Sequence, residues 1–211
     1  YQESLDNQTT ASDYRVLQVG EDYNNFSKWN IILKNMCLQG GDIFDTDQGG
    51  HGGTLYIRGA ENNLTLDHSR ISGSRARYDG GGVYVCAETD STVTLITSTI
   101  SNNYAQRDGA GLYNATKDNT RSNSTVYVVD STIANNIATG KGGGIYNKSH
   151  ITQSSSSIAN SNVYVVSSTI AGNTAANQGG GIYNETSNNY TSINTNNNIH
   201  LLNSIVFGNY T

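Results

Sequence analysis

The sequence predicts an all-β fold, a right-handed parallel β-helix (solenoid) of about six coils of 28 to 37 residues with three sheets. Two motifs that recur in step, and a composition without proline, predict it. The first motif is an alternating apolar strand that runs into Ser-Thr-Ile, at residues 126–133 and 163–170. Its last apolar position recurs with spacings of 33, 29, 33, 37 and 36 residues, at Leu38, Ile71, Ile100, Ile133, Ile170 and Val206.

The second motif is Gly-Gly-Gly-Ile-Tyr, at residues 142–146 and 179–183, and it lies between successive copies of the first. Each period therefore reads as an alternating strand, a Ser-Thr-Ile strand and a Gly-rich strand. In the last four periods only about five residues connect the second strand to the third, too few for a crossover helix. We therefore expect each period to wind one coil, with equivalent strands of successive coils paired in parallel about 4.8 Å apart.

The composition favours a fold that is ordered by repeated short strands and not by a large apolar core. Of 211 residues, 28 are Asn, 23 Ser, 22 Thr and 23 Gly, while charged residues make up 14% and proline is absent. These values disfavour a helical bundle, a coiled coil and a proline-rich linker. The net charge of −5 without a Lys/Arg cluster argues against a nucleic-acid partner, and the lack of long apolar runs argues against membrane insertion. We expect one β-helix domain over 1–211, with coils over 14–209 and a tail or connection over 1–13.

An apolar-x-x-Asn signature accompanies the Gly-rich motif in the later periods, at residues 100–103, 133–136, 170–173 and 206–209. Together with Gly-Gly-x-Ile, it resembles the repeats of polymorphic outer membrane proteins and related bacterial surface β-helices, over roughly residues 30 to 209. The chain has Ile or Val where that family often has Phe. The resemblance implies a secreted, extracellular or cell-surface location and an adhesive or structural role. It implies no particular ligand.

Because side chains alternate along a strand, the repeats also predict which residues face outward. The tyrosines of the Gly-rich motif form an expected outward surface column, Tyr56, Tyr84, Tyr113, Tyr146 and Tyr183. Their rings could bind sugars or another chain, or could simply stack on one another and stabilise the sheet. The asparagines of the signature form an expected inward, structural ladder at a corner, Asn103, Asn136, Asn173 and Asn209.

The chain contains nine Asn-x-Ser/Thr sequons, where the composition alone predicts about six. Asn114, Asn147 and Asn184 directly follow column tyrosines and are expected to face inward. Five others lie in expected loops and are candidates for glycosylation, Asn7, Asn25, Asn63, Asn123 and Asn189. Cys37 and Cys86 allow at most one disulfide, and their positions in the coils do not make a direct pairing obvious.

Acidic side chains raise the alternative of a β-helix that binds or cleaves polysaccharide. Residues 45–47 and His51 are similar to pieces of a polygalacturonase site, but they lie in one expected loop instead of on neighbouring coils. Asp79 and Asp108 occupy equivalent positions on adjacent coils, where two carboxylates could share a proton or hold Ca²⁺. The alternative is that nearby arginines neutralise these acids, Arg75, Arg77 and Arg107. No carboxylate column extends further, so we expect a non-enzymatic protein with no catalytic, cofactor or metal site.

The two ends of the sequence occupy successive positions in the order of strands around a coil, which suggests how two copies of the chain could pair. Residues 16–19 are predicted to form the third strand of an incomplete coil, at the position that the Gly-rich motif occupies in later coils. The sequence stops just after a strand equivalent to Ser-Thr-Ile. We therefore expect a head-to-tail homopolymer, with a fragment of a longer β-helix as the alternative. Other surface proteins or polysaccharide are the alternative partners. Ice binding is a minor alternative, because the Thr-x-Thr array at 97–99 decays on the following coils.

Overall fold

The computed structural model describes residues 14–19, 28–44, 50–118, 121–151, 158–188 and 194–211. These residues form an all-β parallel solenoid of about five turns, which confirms the predicted fold class and comes close to the predicted number of coils. None of the described residues belongs to a helix long and apolar enough to cross a membrane.

The described residues contain the following strands, numbered in chain order. They are β1 (Leu17–Val19), β2 (Lys28–Lys34), β3 (Cys37–Gln39), β4 (Asp42–Ile43), β5 (Leu55–Asp67), β6 (Arg70–Ser72), β7 (Arg75–Ala76), β8 (Val83–Ile96), β9 (Thr99–Ser101), β10 (Tyr104–Ala105), β11 (Leu112–Asp118), β12 (Arg121–Val129), β13 (Thr132–Ala134), β14 (Ile137–Ala138), β15 (Ile145–Ile151), β16 (Ile158–Val166), β17 (Thr169–Ala171), β18 (Thr174–Ala175), β19 (Ile182–Asn188), β20 (Asn194–Leu202) and β21 (Ile205–Phe207).

Three parallel sheets run along the solenoid. The first sheet has ten strands, with β8 at its centre and the order β19-β15-β11-β8-β12-β16-β20, while β5 pairs with β1, β2 and β8. The second sheet contains the Ser-Thr-Ile strands in the order β21-β17-β13-β9-β6-β3. The third sheet, in the order β18-β14-β10-β7-β4, is built from two-residue strands in segments expected to be connections. As the sequence predicts, residues 17–19 pair with the Gly-rich position of the following coil.

The described parts of the polar segments after the Gly-rich motif are strands, whereas the sequence predicts loops there, as at Asn63 and Asn123. In β5 and β8 a single strand runs through residues 58–63 and 86–92, and in later coils two arms such as β11 and β12 face each other. We call each such pair of arms an arch. Small polar side chains make this possible, since the buried hydroxyls of Thr116 and Ser122 bond to each other inside the arch. Polar side chains can therefore fill the inner face of a strand, because their hydrogen-bonding groups pair with one another there.

The apolar core is a set of columns in which one residue from each coil lies on its equivalent in the next. Ile71, Ile100, Ile133 and Ile170 are fully buried in the second sheet and lie in register. Leu66, Leu95, Val128 and Val165 form the matching column of the first sheet. Each such side chain contributes about 1.5 to 3 kcal/mol by leaving water.

A serine ladder stabilises the corner between the first and second sheets. The residue at this corner has a left-handed backbone in each coil, for example φ +47° at Thr97 and +48° at Asp130. A serine follows this residue, and its hydroxyl oxygen accepts a hydrogen bond from the backbone N–H of the equivalent serine in the preceding coil. Ser131 accepts in this way from Ser98 (2.9 Å). The same bond joins Ser131 to Ser168 (3.0 Å). The sequence repeats alone do not predict this ladder, although serine recurs two residues before each core isoleucine.

The glycines of the Gly-rich motif allow the chain to pass very close to the neighbouring coil. A Cβ atom on Gly143 would lie 2.4 Å from the carbonyl oxygen of Thr174 and 2.5 Å from that of Gly180. Backbone atoms held by sheet hydrogen bonds cannot move away, so no side chain fits at this position.

Candidate functional site

The corner asparagines form a hydrogen-bonded ladder along the solenoid. The Nδ2 of Asn103 donates to the Oδ1 of Asn136 (3.0 Å), and the Nδ2 of Asn136 donates to the Oδ1 of Asn173 (2.9 Å). Asn173 donates in the same way to Asn209 (3.0 Å). Each accepting Oδ1 also receives the backbone N–H of the donor residue, at 3.0 Å in all three steps. The ladder amides therefore satisfy one another and the turn backbone, which is a structural role.

A second amide ladder lies inside the arches. Asn114 and Asn147 are fully buried, and Asn114 donates from Nδ2 to the Oδ1 of Asn147 (2.9 Å). Asn147 donates in turn to the Oδ1 of Asn184 (2.9 Å). Ser124 on the facing arm donates its hydroxyl to the Oδ1 of Asn147 (2.6 Å). These three sequons therefore face inward, as the sequence predicts, and their amides are occupied.

Two of the five glycosylation candidates lie within the described residues, and both are on strands instead of in the expected loops. Asn63 lies on β5 with an exposed side chain. Asn123 lies on β12, where its Nδ2 donates to the Oδ1 of Asp90 (2.6 Å) and its Oδ1 accepts from Asn160 (2.8 Å). A glycan on Asn123 would have to displace the bond to Asp90. Asn7, Asn25 and Asn189 lie outside the described residues.

The tyrosine column is a continuous stack of rings, but it is much less open than the sequence suggests. Successive rings lie 4.9–5.5 Å apart with planes 4–22° from parallel, through Tyr56, Tyr84, Tyr113, Tyr146 and Tyr183. Tyr56, Tyr84 and Tyr146 are buried, and the other two are half-buried. In four coils the first glycine of the Gly-rich turn lies next to the Cβ of the tyrosine, as Gly142 does to Tyr146, and neighbouring rings cover the ring faces. Burial raises the pKa of Tyr84 and Tyr113 well above the ordinary value.

A shorter aromatic stack lies on the alternating strands. Tyr127, Tyr164 and His200 stack with ring centroids 5.0 and 4.6 Å apart and planes within 12° of parallel. Tyr127 and His200 are exposed, and Tyr164 is half-buried between them. Only the edge of the inner ring, Tyr164, is therefore open to a ligand.

Asp79 is a buried carboxylate at the centre of a cluster between two coils. Arg107 donates to it from Nε (2.7 Å) and from one Nη, and the Nδ1 of His51 lies 3.3 Å from Oδ2. The backbone N–H of Asp108 donates to Oδ1 (3.1 Å). Burial alone raises the pKa of Asp79, but the hydrogen bonds from Arg107 and His51 outweigh it and lower the pKa below the ordinary value. The arrangement holds the arginine in place.

The pKa of Asp108, one coil further along the chain, shifts in the opposite direction from that of Asp79. Its Oδ1 accepts the backbone N–H of Lys141 (2.7 Å), and the side chain is half-buried. Burial, together with the charge of Asp79, raises its pKa above the ordinary value despite that hydrogen bond. The two aspartates thus each bond to the next coil instead of converging on a shared proton.

The structure contains only some of the other contacts that the sequence predicts between charged side chains and between cysteines. Of the three arginines expected to neutralise the acids, Arg107 pairs with Asp79, while Arg75 pairs with Asp42 (3.2 Å). Residues 45–47 lie outside the described residues, and no disulfide joins Cys37 to Cys86. Within the described ranges, no group of three or more His, Cys, Asp or Glu side chains is placed to hold a metal ion.

An open groove of about 390 Å³ lies beside the Asp79 cluster, lined by Arg77, Tyr78, Gln106 and Arg107. Sequence analysis missed it because residues 77–78 and 106–107 are one coil apart. The backbone N–H of Arg107 donates to the carbonyl oxygen of Tyr78 (3.1 Å), which places the two segments side by side. The period of 29 residues at this point was the available signal.

The last described coil exposes side chains from columns that are buried elsewhere. Ile199, Leu201 and Val206 lie in register with Val163, Val165 and Ile170, which are fully buried. Their own exposed fractions are 48, 54 and 42%.

Gly-rich turns, a corner asparagine ladder and three parallel sheets define a β-helix repeat protein. A family model of the Chlamydia polymorphic membrane protein repeat matches residues 130–148 and 167–185, which lie on successive coils. The chain therefore carries repeats of that kind, as the resemblance in the sequence indicates. Proteins of that family are outer-membrane or surface associated. No curated protein and no solved structure gives a significant match.

Proposed function

We propose that this chain is an extracellular or cell-surface structural protein without enzymatic activity, and that it acts as an adhesive module. The match of two successive coils to the Chlamydia polymorphic membrane protein repeat carries the proposal. The geometry supports it, because the two acidic residues considered for catalysis that the structure describes are engaged with the protein itself. Asp79 is bonded to Arg107, and Asp108 is bonded to the backbone of Lys141. Rigid solenoids present long side surfaces, which suits adhesion.

Latex beads coated with the purified chain test this role. We expect several times more of these beads to adhere to cultured epithelial cells than beads coated with serum albumin. Beads coated with heat-unfolded chain provide the matched control, because they carry the same composition without the folded surface. Equal adhesion of all three bead types would contradict an adhesive role. Release of reducing ends from a polysaccharide panel by the purified chain would contradict a non-enzymatic one.

A second candidate function is end-to-end assembly into a fibre, favoured by the exposed apolar columns of the last described coil. Residues 194–211 contain no charged side chain, whereas natural sheet edges are commonly protected by charges or proline. In the first coil, Ile31, Leu33 and Leu38 occupy the same columns and are only partly buried. A second copy continuing the register would place Ile31 on Ile199, Leu33 on Leu201 and Leu38 on Val206.

Sedimentation velocity over a range of protein concentrations tests this assembly. We expect the wild-type chain to form species larger than a monomer, and Leu201→Lys to reduce them at least tenfold, because assembly would bury the new charge. Ile137→Lys is the matched control, since Ile137 is 49% exposed but lies in a middle coil. A wild-type chain that stays monomeric throughout, as expected if this edge is covered by a further coil of a longer chain, would contradict the proposal. So would equal assembly of all three proteins.

A further inference from the structure

The groove beside Asp79 combines an exposed aromatic ring with fixed hydrogen-bond donors. Tyr78 is 37% exposed, and the guanidinium carbons of Arg107 and Arg77 lie 5.3 and 5.6 Å from its ring centroid. Gln106, on the adjacent coil, adds an exposed amide side chain to the lining. The ring, the guanidinium and the amide therefore line one shallow, open groove of about 390 Å³.

Arg107 is held in place before any ligand arrives. Its Nε and one Nη donate to the buried carboxylate of Asp79, which is itself fixed by the backbone N–H of Asp108. A guanidinium carries five N–H donors, so the side chain that lines the groove retains donors beyond those used by Asp79. Little side-chain entropy would be lost when it binds a ligand, because the carboxylate already orients it.

The charges around the groove favour a neutral ligand. Two arginines, Arg77 and Arg107, line the groove, and two aspartates, Asp79 and Asp108, lie within electrostatic reach of Arg107. A ligand carboxylate would have to compete with Asp79 for the guanidinium that Asp79 already binds. Neutral hydroxyl groups can accept the remaining N–H groups without that competition, and the apolar face of a sugar ring can cover the exposed tyrosine.

We propose that this groove binds a neutral pyranose oligosaccharide, with one sugar ring on Tyr78 and hydroxyl groups bonded to Arg107 and Gln106. The inference rests on the proposed adhesive role and supplies a ligand class for it. It also moves the expected sugar contact away from the tyrosine column, because the rings of that column cover one another. The groove is a better sugar site because its tyrosine is not covered by another tyrosine and is 37% exposed, with His51 packed beside it at 5.3 Å between ring centroids.

Saturation-transfer difference NMR on the folded chain tests the proposal with three neutral probes, cellotriose, maltotriose and chitotriose. We expect at least one probe to receive saturation from the wild-type chain, and Tyr78→Ala to weaken its binding by about tenfold or more. Tyr78→Phe retains the ring and should bind within about twofold of wild type, and Gln106→Ala should bind several times more weakly. The matched control is Tyr127→Ala, because Tyr127 is 38% exposed but lies in the other stack.

Three results would overturn the glycan site. One is the absence of saturation transfer to all three probes, and another is equal loss of binding in Tyr78→Ala and Tyr127→Ala. The third is stronger binding of trigalacturonate than of any neutral probe, which would show that the groove selects an acidic sugar. Bead adhesion separates this inference from the proposed function. Adhesion without oligosaccharide binding would reject only the glycan site, and oligosaccharide binding without adhesion would reject only the adhesive role.

Discussion

Replacing Asn136 by alanine is expected to lower the free energy of unfolding by about 3 to 4 kcal/mol. The side chain of Asn136 accepts both the backbone N–H and the Nδ2 of Asn103, and it donates to the carbonyl oxygen of Ile100 (3.2 Å) and to Asn173. All of these groups are buried, so alanine would leave several of them without a partner. Each buried polar group that loses its hydrogen bond costs about 1 to 3 kcal/mol.

Urea denaturation followed by circular dichroism measures this loss, with Asn177→Ala as the matched control. The side chain of Asn177 is exposed and outside the ladder, so its removal should change stability by less than about 0.5 kcal/mol. Hydrogen exchange gives a local readout, because the amide of Asn103 should exchange faster in Asn136→Ala than in the control. Equal unfolding midpoints for the two variants would show that the ladder contributes little to stability.

Replacing Asp79 by asparagine is expected to cost about 2 kcal/mol at pH 7, whereas Asp108→Asn should cost nothing or give a small gain. Asp79 is buried and bonded to Arg107, so losing its charge leaves an arginine without its counter-ion. The cost falls below the 3 to 5 kcal/mol typical of a broken buried pair, because the arginine is half exposed. Asp108→Asn removes a carboxylate that burial already disfavours and keeps an oxygen for the N–H of Lys141.

The two variants should also differ in their pH dependence. The pKa of Asp79 is lower in the folded chain, so its stabilisation is present above the unfolded pKa of about 3.9 and is lost as the pH falls through the folded value. The pKa of Asp108 is raised on folding, so its contribution is most favourable at low pH and declines as the pH rises through the folded value. Urea unfolding between pH 3 and 7 should therefore show the cost of Asp79→Asn shrinking toward pH 3. A constant cost across this range would contradict the lowered pKa.

The coil architecture could be predicted from the sequence because every column is visible as a repeated position. Once Ile100, Ile133 and Ile170 are aligned, the parallel register determines which neighbouring residues lie on one another. The corner asparagines are then predicted to form a column. The serine ladder was equally visible, since serine precedes each of these isoleucines by two residues, but its hydrogen bond to the next coil's backbone has no distinct sequence signature.

The arches and the groove could not be predicted for physical reasons. Polar runs rich in Ser, Thr and Asn are typical of loops, and only the pairing of two such arms, as between Thr116 and Ser122, makes them strands. The alternation rule predicts that Tyr84 faces outward. It could not show that the Gly-rich turn packs against this tyrosine and that neighbouring rings bury it. The groove depends on the side-chain directions of Tyr78 and Arg107 across two coils, which a list of repeats does not contain.

The arches also determine where the coils can change in length. From Ile71, Ile100, Ile133 and Ile170 to the column tyrosine that follows each of them, the distance along the chain is always 13 residues. From Tyr84, Tyr113 and Tyr146 to the next core isoleucine it is 16, 20 and 24 residues. From Ile71 onward, the side with the glycine turns and the asparagine ladder is therefore constant in length, and the extra residues of the longer coils lie in the arch. The first coil is the exception, with 18 residues from Leu38 to Tyr56. New peptide segments could be grafted between the two arms of an arch, and natural insertions could accumulate there, while the rest of the coil keeps its register.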